Sequence, residues 1–167
     1  PYFNTTDPKN ITNGNPLLLP EHGERIELAY NKKLGATGDL SFSIFQRNSD
    51  QDIQPYTFYY SSIKIGDTVF NNVSISSPNN IGLEKNTGIN LFTDVHLFKK
   101  LDWRSNFSFY HRDIYNSIDK NYNAHSENYR INMNATYEFS KTFIMEGFGN
   151  FTSARNEVQG KYPANIN

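Results

Sequence analysis

The chain has no cysteine among its 167 residues, which excludes a disulfide framework and any thiolate metal site. Net charge is almost absent, −1 at pH 7 with histidine neutral. The counterion release that drives nucleic-acid binding therefore has nothing to draw on, and no nucleic-acid partner is expected. Mean hydropathy is low, and no apolar run approaches the roughly 18 residues that a membrane-spanning helix needs. This leaves transmembrane β-barrels open, because their strands alternate apolar and polar residues and so dilute hydropathy. No stretch holds apolar residues at i, i+3, i+4 and i+7, so no helix is expected. There is neither an initiator methionine nor a signal peptide, and the stretch from Pro1 to Asn167 reads as a mature or excised piece of a longer protein.

Reactive constellations are equally scarce. His22, His96, His111 and His125 pair with no second histidine or carboxylate at a metal-ligand spacing. Ser108, His111 and Asp113 lie close together, but on a strand Ser108 faces away from the other two. No Gly-rich phosphate loop is present. The expectation is no catalytic residue, no cofactor site and no metal site, so not an enzyme.

What the chain does have is aromatic residues, 15% of the total with 11 Tyr and 13 Phe, and long alternating stretches. The longest covers residues 81–98, IGLEKNTGINLFTDVHLF. Split by parity, one set runs through Thr87, Ile89, Leu91, Thr93, Val95 and Leu97 without a charge. The other carries Glu84, Asn86, Asn90, Asp94 and His96. Period two places these sets on opposite faces of one strand. About 9–11 residues suffice for a transmembrane strand, so Ile89 to Leu97 is long enough to cross a bilayer. A long strand in a soluble sheet, with its apolar face on a core, is the alternative at this point.

The same alternation recurs along the chain. Residues 1–23 are rich in Pro, Gly and Asn and read as a loop, with Leu17 to Leu19 expected to pin it to an apolar surface. Ile26, Leu28 and Tyr30 then share a face, followed by Leu40, Phe42 and Ile44. Phe45 interrupts that second pattern, and a bulge near Phe45–Arg47 is expected. Pro55 fits an edge strand or a bulge, and Gly66-Asp67 reads as a hairpin tip. Trp103, Phe107 and Phe109 alternate with Arg104 and Asn106. Tyr129, Ile131, Met133, Tyr137 and Phe139 alternate with Arg130, Asn132 and Glu138. Phe143 and Met145 follow, with Ile144 as an exception to the parity.

Two regularities favour the membrane. Connections near 33–38, 99–101 and 140–141 are short, whereas those near 61–76 and 117–125 are long and polar. Outer-membrane barrels alternate short periplasmic turns with longer extracellular loops. Trp103, Tyr137, Phe139 and Phe143 also cluster beside the short turns, where an interfacial aromatic girdle would sit. The fold class expected is all-β, an antiparallel meander of long strands forming part of a transmembrane outer-membrane barrel. Residues 1–23 are expected as an extracellular loop, 24–158 as about six antiparallel strands, and 159–167 as the start of a further strand. Expected to face lipid are Ile89, Leu91, Val95, Leu97, Trp103, Phe107, Phe109, Ile131, Met133, Tyr137, Phe139, Phe143 and Met145. Expected to face the lumen are Asn90, Asp94, Arg104, Asn106, Arg130, Asn132 and Glu138. The competing function is a soluble β-sandwich that binds glycans, with Tyr56, Tyr59, Tyr60 and Tyr122 as stacking candidates.

Several short motifs carry a family resemblance. Asn13-Gly14-Asn15-Pro16 with Leu18, Pro20 and Glu21 resembles the GNPxLxPE loop in the barrel of TonB-dependent receptors, especially those of Bacteroidetes. Ser41-Phe42-Ser43 with Arg47, Asp50 and Ile53 resembles the next strand and its exit. Asn79-Asn80-Ile81-Gly82-Leu83-Glu84 resembles the entry to a long strand, and Gln159-Gly160-Lys161 with Pro163 the start of a later one. Their order and spacing together resemble the outer membrane protein beta-barrel family of these receptors over nearly the whole chain. The resemblance implies a C-terminal section of a barrel in the bacterial outer membrane, serving uptake of a scarce or large solute. It implies as partners the lipid bilayer, the rest of the barrel, a plug domain, TonB acting through that plug, and a surface lipoprotein. No substrate-binding residue carries over.

Overall fold

The structure, a computed structural model, describes residues 3–167. Two short strands, β1 (Phe3–Asn4) and β2 (Asn10–Asn13), precede β3 (His22–Lys33) and β4 (Gly38–Asp50). A hairpin of β5 (Ile53–Ile65) and β6 (Thr68–Asn80) separates these from β7 (Gly82–Leu97), β8 (Leu101–Asn116), β9 (Ala124–Ser140) and β10 (Phe143–Thr152). Short pieces follow: β11 (Arg155–Glu157), β12 (Gly160–Tyr162) and β13 (Asn165–Ile166). The described residues contain no α-helix, only single 3-10 turns at Gly35–Thr37 and Lys120–Tyr122.

The main sheet has the order β13-β10-β9-β8-β7-β4-β3 and is antiparallel throughout. Directly paired residues share a face, so the register turns each strand's parity into rows across the sheet. One row reads Tyr30, Phe42, Leu91, Phe107, Ile131, Phe151. Beside it run Leu28, Ile44, Ile89, Phe109 and Tyr129. Two residues further along, the same face turns polar at Gln46, Thr87, His111 and Glu127. From Tyr129 to Phe139 the apolar stripe extends about 33 Å at ~3.3 Å per residue. With a barrel tilt of about 35–45°, it would cover about 25 Å of height, the apolar band of an outer-membrane barrel.

Among the described residues, no second layer covers this face. Met133, in mid-strand, is 39% exposed, and Phe139 and Met145 are 48% and 55% exposed. A sandwich would bury such residues between two sheets. The buried apolar side chains of the described residues lie elsewhere, beside the β5–β6 hairpin: Tyr56, Ile81, Ile114 and Val158 in one cluster, Ile11, Val73 and Ile75 in another. Tyr56, at 4% exposure, is core and cannot stack on a glycan.

The ends of the strands are sorted by connection. Glu138 N–H donates to the Lys100 carbonyl at 2.9 Å, so the short 99–101 and 140–141 turns lie together. At the opposite end, Gly82 pairs with Asn116, which brings the base of the β5–β6 hairpin beside the 117–123 loop. The long polar connection expected at 61–76 is itself ordered as this hairpin, turning at Gly66-Asp67.

Several local expectations need correction. No bulge occurs at Phe45–Arg47, because β4 pairs without a register shift to both β3 and β7. Phe45 keeps its parity and turns to the polar face, where its ring lies 6.5 Å from that of Tyr110. Gly88 is the residue paired between them. A Cβ there would meet the Phe109 carbonyl oxygen at 2.3 Å, so only glycine permits this close approach of β7 and β8. The real irregularity is a register shift between Phe143 and Ile144, after which Ile144 pairs with Glu138 and keeps the parity of Glu146, an apolar residue on the polar face. Leu17 and Leu19 do not pin their loop to an apolar surface, being 83% and 56% exposed. Polar side chains hold it instead: the irregular backbone leaves donors and acceptors outside any ladder, and Asn15 and Asn80 make hydrogen bonds that fasten the loop to residues 78–80. Residues 10–13 form a strand parallel to β6 within a stretch read as irregular. Pro55 lies on β5, the edge of the small sheet β1-β2-β6-β5.

Candidate functional site

The stretches that stand out in the sequence meet at one corner. Asn80 accepts a hydrogen bond from Leu19 N–H at 2.8 Å through its side-chain oxygen. Its amide donates to the carbonyls of Leu19 (2.9 Å) and Gln51 (2.7 Å). Asn15 donates to the Pro78 carbonyl at 3.1 Å. Ile81, fully buried, packs with Val158. The next residue, Gly82, has φ +115 and would put a Cβ 2.3 Å from the Tyr115 carbonyl oxygen, so glycine is required for strand entry here. Gln159 clamps the backbone of β5, donating to the Thr57 carbonyl at 3.0 Å and accepting from Thr57 N–H at 2.7 Å.

Beneath this corner lies a buried ionic network. Arg112 donates to Glu84 at 2.7 Å, to Glu157 at 3.1 Å and to the Asn156 carbonyl at 2.7 Å. Asn86 donates to the second Glu84 oxygen at 2.7 Å, and Arg155 holds the other Glu157 oxygen at 2.6 Å. The β11–β12 hairpin is thereby tied to the polar face of β7 and β8. Asp52, in the turn after β4, has its carboxyl raised above the ordinary value, chiefly by burial. The Gln54 hydrogen bond opposes this, and the nearby Glu84 and Glu21 add to it. A raised pKa in the folded state means that the charged form opposes folding, so stability is gained as pH falls through that pKa and is complete below the unfolded value of 3.8. Asp52→Asn is therefore expected to unfold at higher urea than the parent at pH 7, and the gap should close as the pH approaches 3.8. A constant gap across this range would show that the carboxylate charge is not the cause.

The polar face of the main sheet, the β5 edge and the β11–β12 hairpin enclose a cleft of about 1160 Å³. Its walls mix cations, Arg25, Arg47, Arg130 and Lys161 among them, with the rings of Phe45, Tyr59, Tyr110 and Tyr162. Arg25 lies over Phe45 at 5.4 Å and Arg155 over Tyr162 at 4.8 Å. No group of three or more His, Asp or Glu suited to a metal forms among the described residues.

The residues marked from sequence divide between the two faces as follows. Register places Ile89 with Phe109, Leu91 with Phe107 and Ile131, and Val95 with Trp103. Leu97, Tyr137 and Met145 fall in one row through Leu101, and Met133 pairs with Ser105. Phe139 contacts both Tyr137 and Phe143, with ring centroids 4.6 and 5.2 Å apart. On the opposite face, Asn106 pairs with Asn132, and Arg104 donates to Asp94 at 2.7 Å. Asn90 and Arg130 line the cleft, and Glu138 lies beyond it beside the short turns. Ser108 lines the cleft while His111 is held by Glu127 and Asp113 on the apolar side's polar margin. Phe45 and Gln159 were missed as site residues. An uninterrupted period-two count along β4 finds Phe45, whereas Gln159 gives no local signal for its long-range clamp.

No curated protein and no solved structure shows significant similarity to the chain. The sequence model of one family, the outer membrane protein beta-barrel family, matches residues 1–167, in accord with the all-β fold and its uncovered apolar face. Such barrels sit in the bacterial outer membrane in contact with lipid. The chain, matched from end to end, belongs to the outer membrane protein beta-barrel family.

Proposed function

We propose that this sheet is a section of the wall of a TonB-dependent receptor that takes up a scarce or large solute. The observation that carries the reading is the convergence at one corner of the GNPLLLPE, NNIGLE and QGK stretches on which the receptor resemblance rests. On this reading the apolar rows from Ile89 to Met145 meet lipid, and Asn90, Asp94, Arg104, Asn106, Arg130, Asn132 and Glu138 face the lumen. Unpaired backbone groups support incorporation in a larger barrel. Among the described residues β3 pairs only with β4, and β10 is met on its outer edge only from Asn150 to Thr152. Each unsatisfied group in hydrocarbon costs several kcal/mol, so further strands belong against both edges. A plug domain within the closed barrel, TonB acting through it, and a surface lipoprotein complete the machinery of this proposal. The test is binding of purified TonB C-terminal domain to the intact protein in detergent. Saturable binding is the expected result. No binding while the protein still inserts into vesicles would leave a passive barrel and overturn the receptor reading.

A further inference from the structure

Arg25 and Arg47 are direct cross-strand partners on β3 and β4, on the face that lines the cleft. Like charges directly opposite one another destabilise a sheet, so the pairing calls for a reason. Internal carboxylates supply only part of one. Arg25 donates to Glu27 at 2.7 Å. Arg47 comes no nearer to a carboxylate than 3.8 Å, to Glu84, which already accepts from Arg112 at 2.7 Å. Arg47 makes no hydrogen bond from its guanidinium among the described residues, and both arginine side chains remain about half exposed, 52% and 54%.

One step further along the strands on the same face, Phe45 and Tyr110 flank Gly88. A Cβ at Gly88 has no room, so the wall between the two rings is backbone. The pair of guanidinium forks thus stands beside an aromatic shelf, at the level where the opposite face changes from apolar to polar.

From this arrangement we infer that the cleft holds an anionic solute, its carboxylate or phosphate between Arg25 and Arg47 and its ring or apolar body on Phe45 and Tyr110. Guanidinium groups present planar forks that match either oxyanion. A bound oxyanion also removes the repulsion that the empty pair carries. The inference rests on the lumen reading proposed above, and it adds the class of solute.

The test uses the intact protein in lipid vesicles, with phenyl phosphate, benzoate and the neutral benzyl alcohol as probes in calorimetric titrations. The two anions should bind more tightly than benzyl alcohol, and the tighter of them identifies the phosphate or the carboxylate as the preferred group. Arg47→Gln and Arg25→Gln should each weaken anion binding by about tenfold or more, the loss of one charge-assisted hydrogen bond. Lys64→Gln, on the β5–β6 hairpin away from the cleft, should leave it unchanged. Phe45→Ala should weaken the aromatic anions but not inorganic phosphate. Anion affinity unchanged in Arg47→Gln, or no preference over benzyl alcohol, would overturn the inference. So would unchanged affinity accompanied by a lowered unfolding temperature, which would mean that the pair holds an acidic segment of the protein itself. TonB binding, measured on the same preparations, separates the two readings: if it persists while the anions fail to bind, only the solute class falls. A protein that does not insert into the vesicles at all would remove the lumen and this inference with it.

Discussion

Replacing Arg112 with Leu is expected to destabilise the intact protein by about 3–5 kcal/mol, the usual cost of breaking a buried ion pair by removing one partner. The side chains of Arg112 and Glu84 are only 8% and 9% exposed. Without the guanidinium, Glu84 keeps a hydrogen bond from Asn86, a long one of 3.5 Å from Gln54 and a 3.8 Å approach by Arg47, too little to solvate a buried carboxylate. Glu157 is less affected because Arg155 holds it at 2.6 Å. The double variant Arg112→Leu/Glu84→Leu should recover most of the loss, since apolar replacement of a whole buried pair is often neutral. Arg112 also ties down the Asn156 carbonyl, so limited proteolysis should cut near residues 155–162 faster in the single variant. Urea unfolding in vesicles, run as a double-mutant cycle, reads the energies. A loss below about 1 kcal/mol, typical of exposed pairs, would show that water reaches this network.

Met133→Arg is expected to cost about 2–4 kcal/mol, as a charge does at the midplane of the lipid face of a barrel. Met133 lies midway along the stripe from Tyr129 to Phe139, paired with Ser105 and Gly149. With 39% of its surface open, it is not buried in a protein core, so a penalty of this size requires lipid. Two neighbours supply the controls. Tyr137→Arg, beside the short turns and near the interface, should cost only about 0–1 kcal/mol. Asn132→Arg, on the polar face opposite, should cost far less than Met133→Arg because water reaches a lumen. Refolding into lipid vesicles measures all of them. Equal losses at positions 133 and 137 would count against a membrane-spanning stripe, and a loss at 132 matching that at 133 would count against a wet polar face.

The division into two faces was legible without coordinates. Alternation of side chains follows from the geometry of a single extended backbone, so Ile89 and Asn90, or Met133 and Asn132, separate before any partner strand is known. The same locality explains the sorted ends: turn length is written in consecutive residues such as Ser140-Lys141. Reading Phe45 as a break in parity was an error of chemistry. An aromatic ring on a polar face looks like a misplaced apolar residue until Tyr110 and Gly88 are seen beside it.

Pairing across distance was not legible. Which residue opposes Arg25, whether residues 10–13 lie against β6, and what Gln159 clamps depend on register and on chain closures far apart in sequence, to which local propensity contributes nothing. Leu17 and Leu19, two of the three Leu in the GNPLLLPE loop, misled for a related reason. Apolar residues between prolines suggest an anchor, but the anchor is Asn80, some sixty residues away, because the backbone polar groups there had to be satisfied. The sequence by itself therefore determined that the strands are long, two-faced and of barrel type, since these are properties of each strand alone. Only the tertiary structure decided that Glu84, Arg112 and Glu157 form one buried network and that Arg25 stands opposite Arg47, since charge pairs are made by neighbouring strands and not by neighbouring residues.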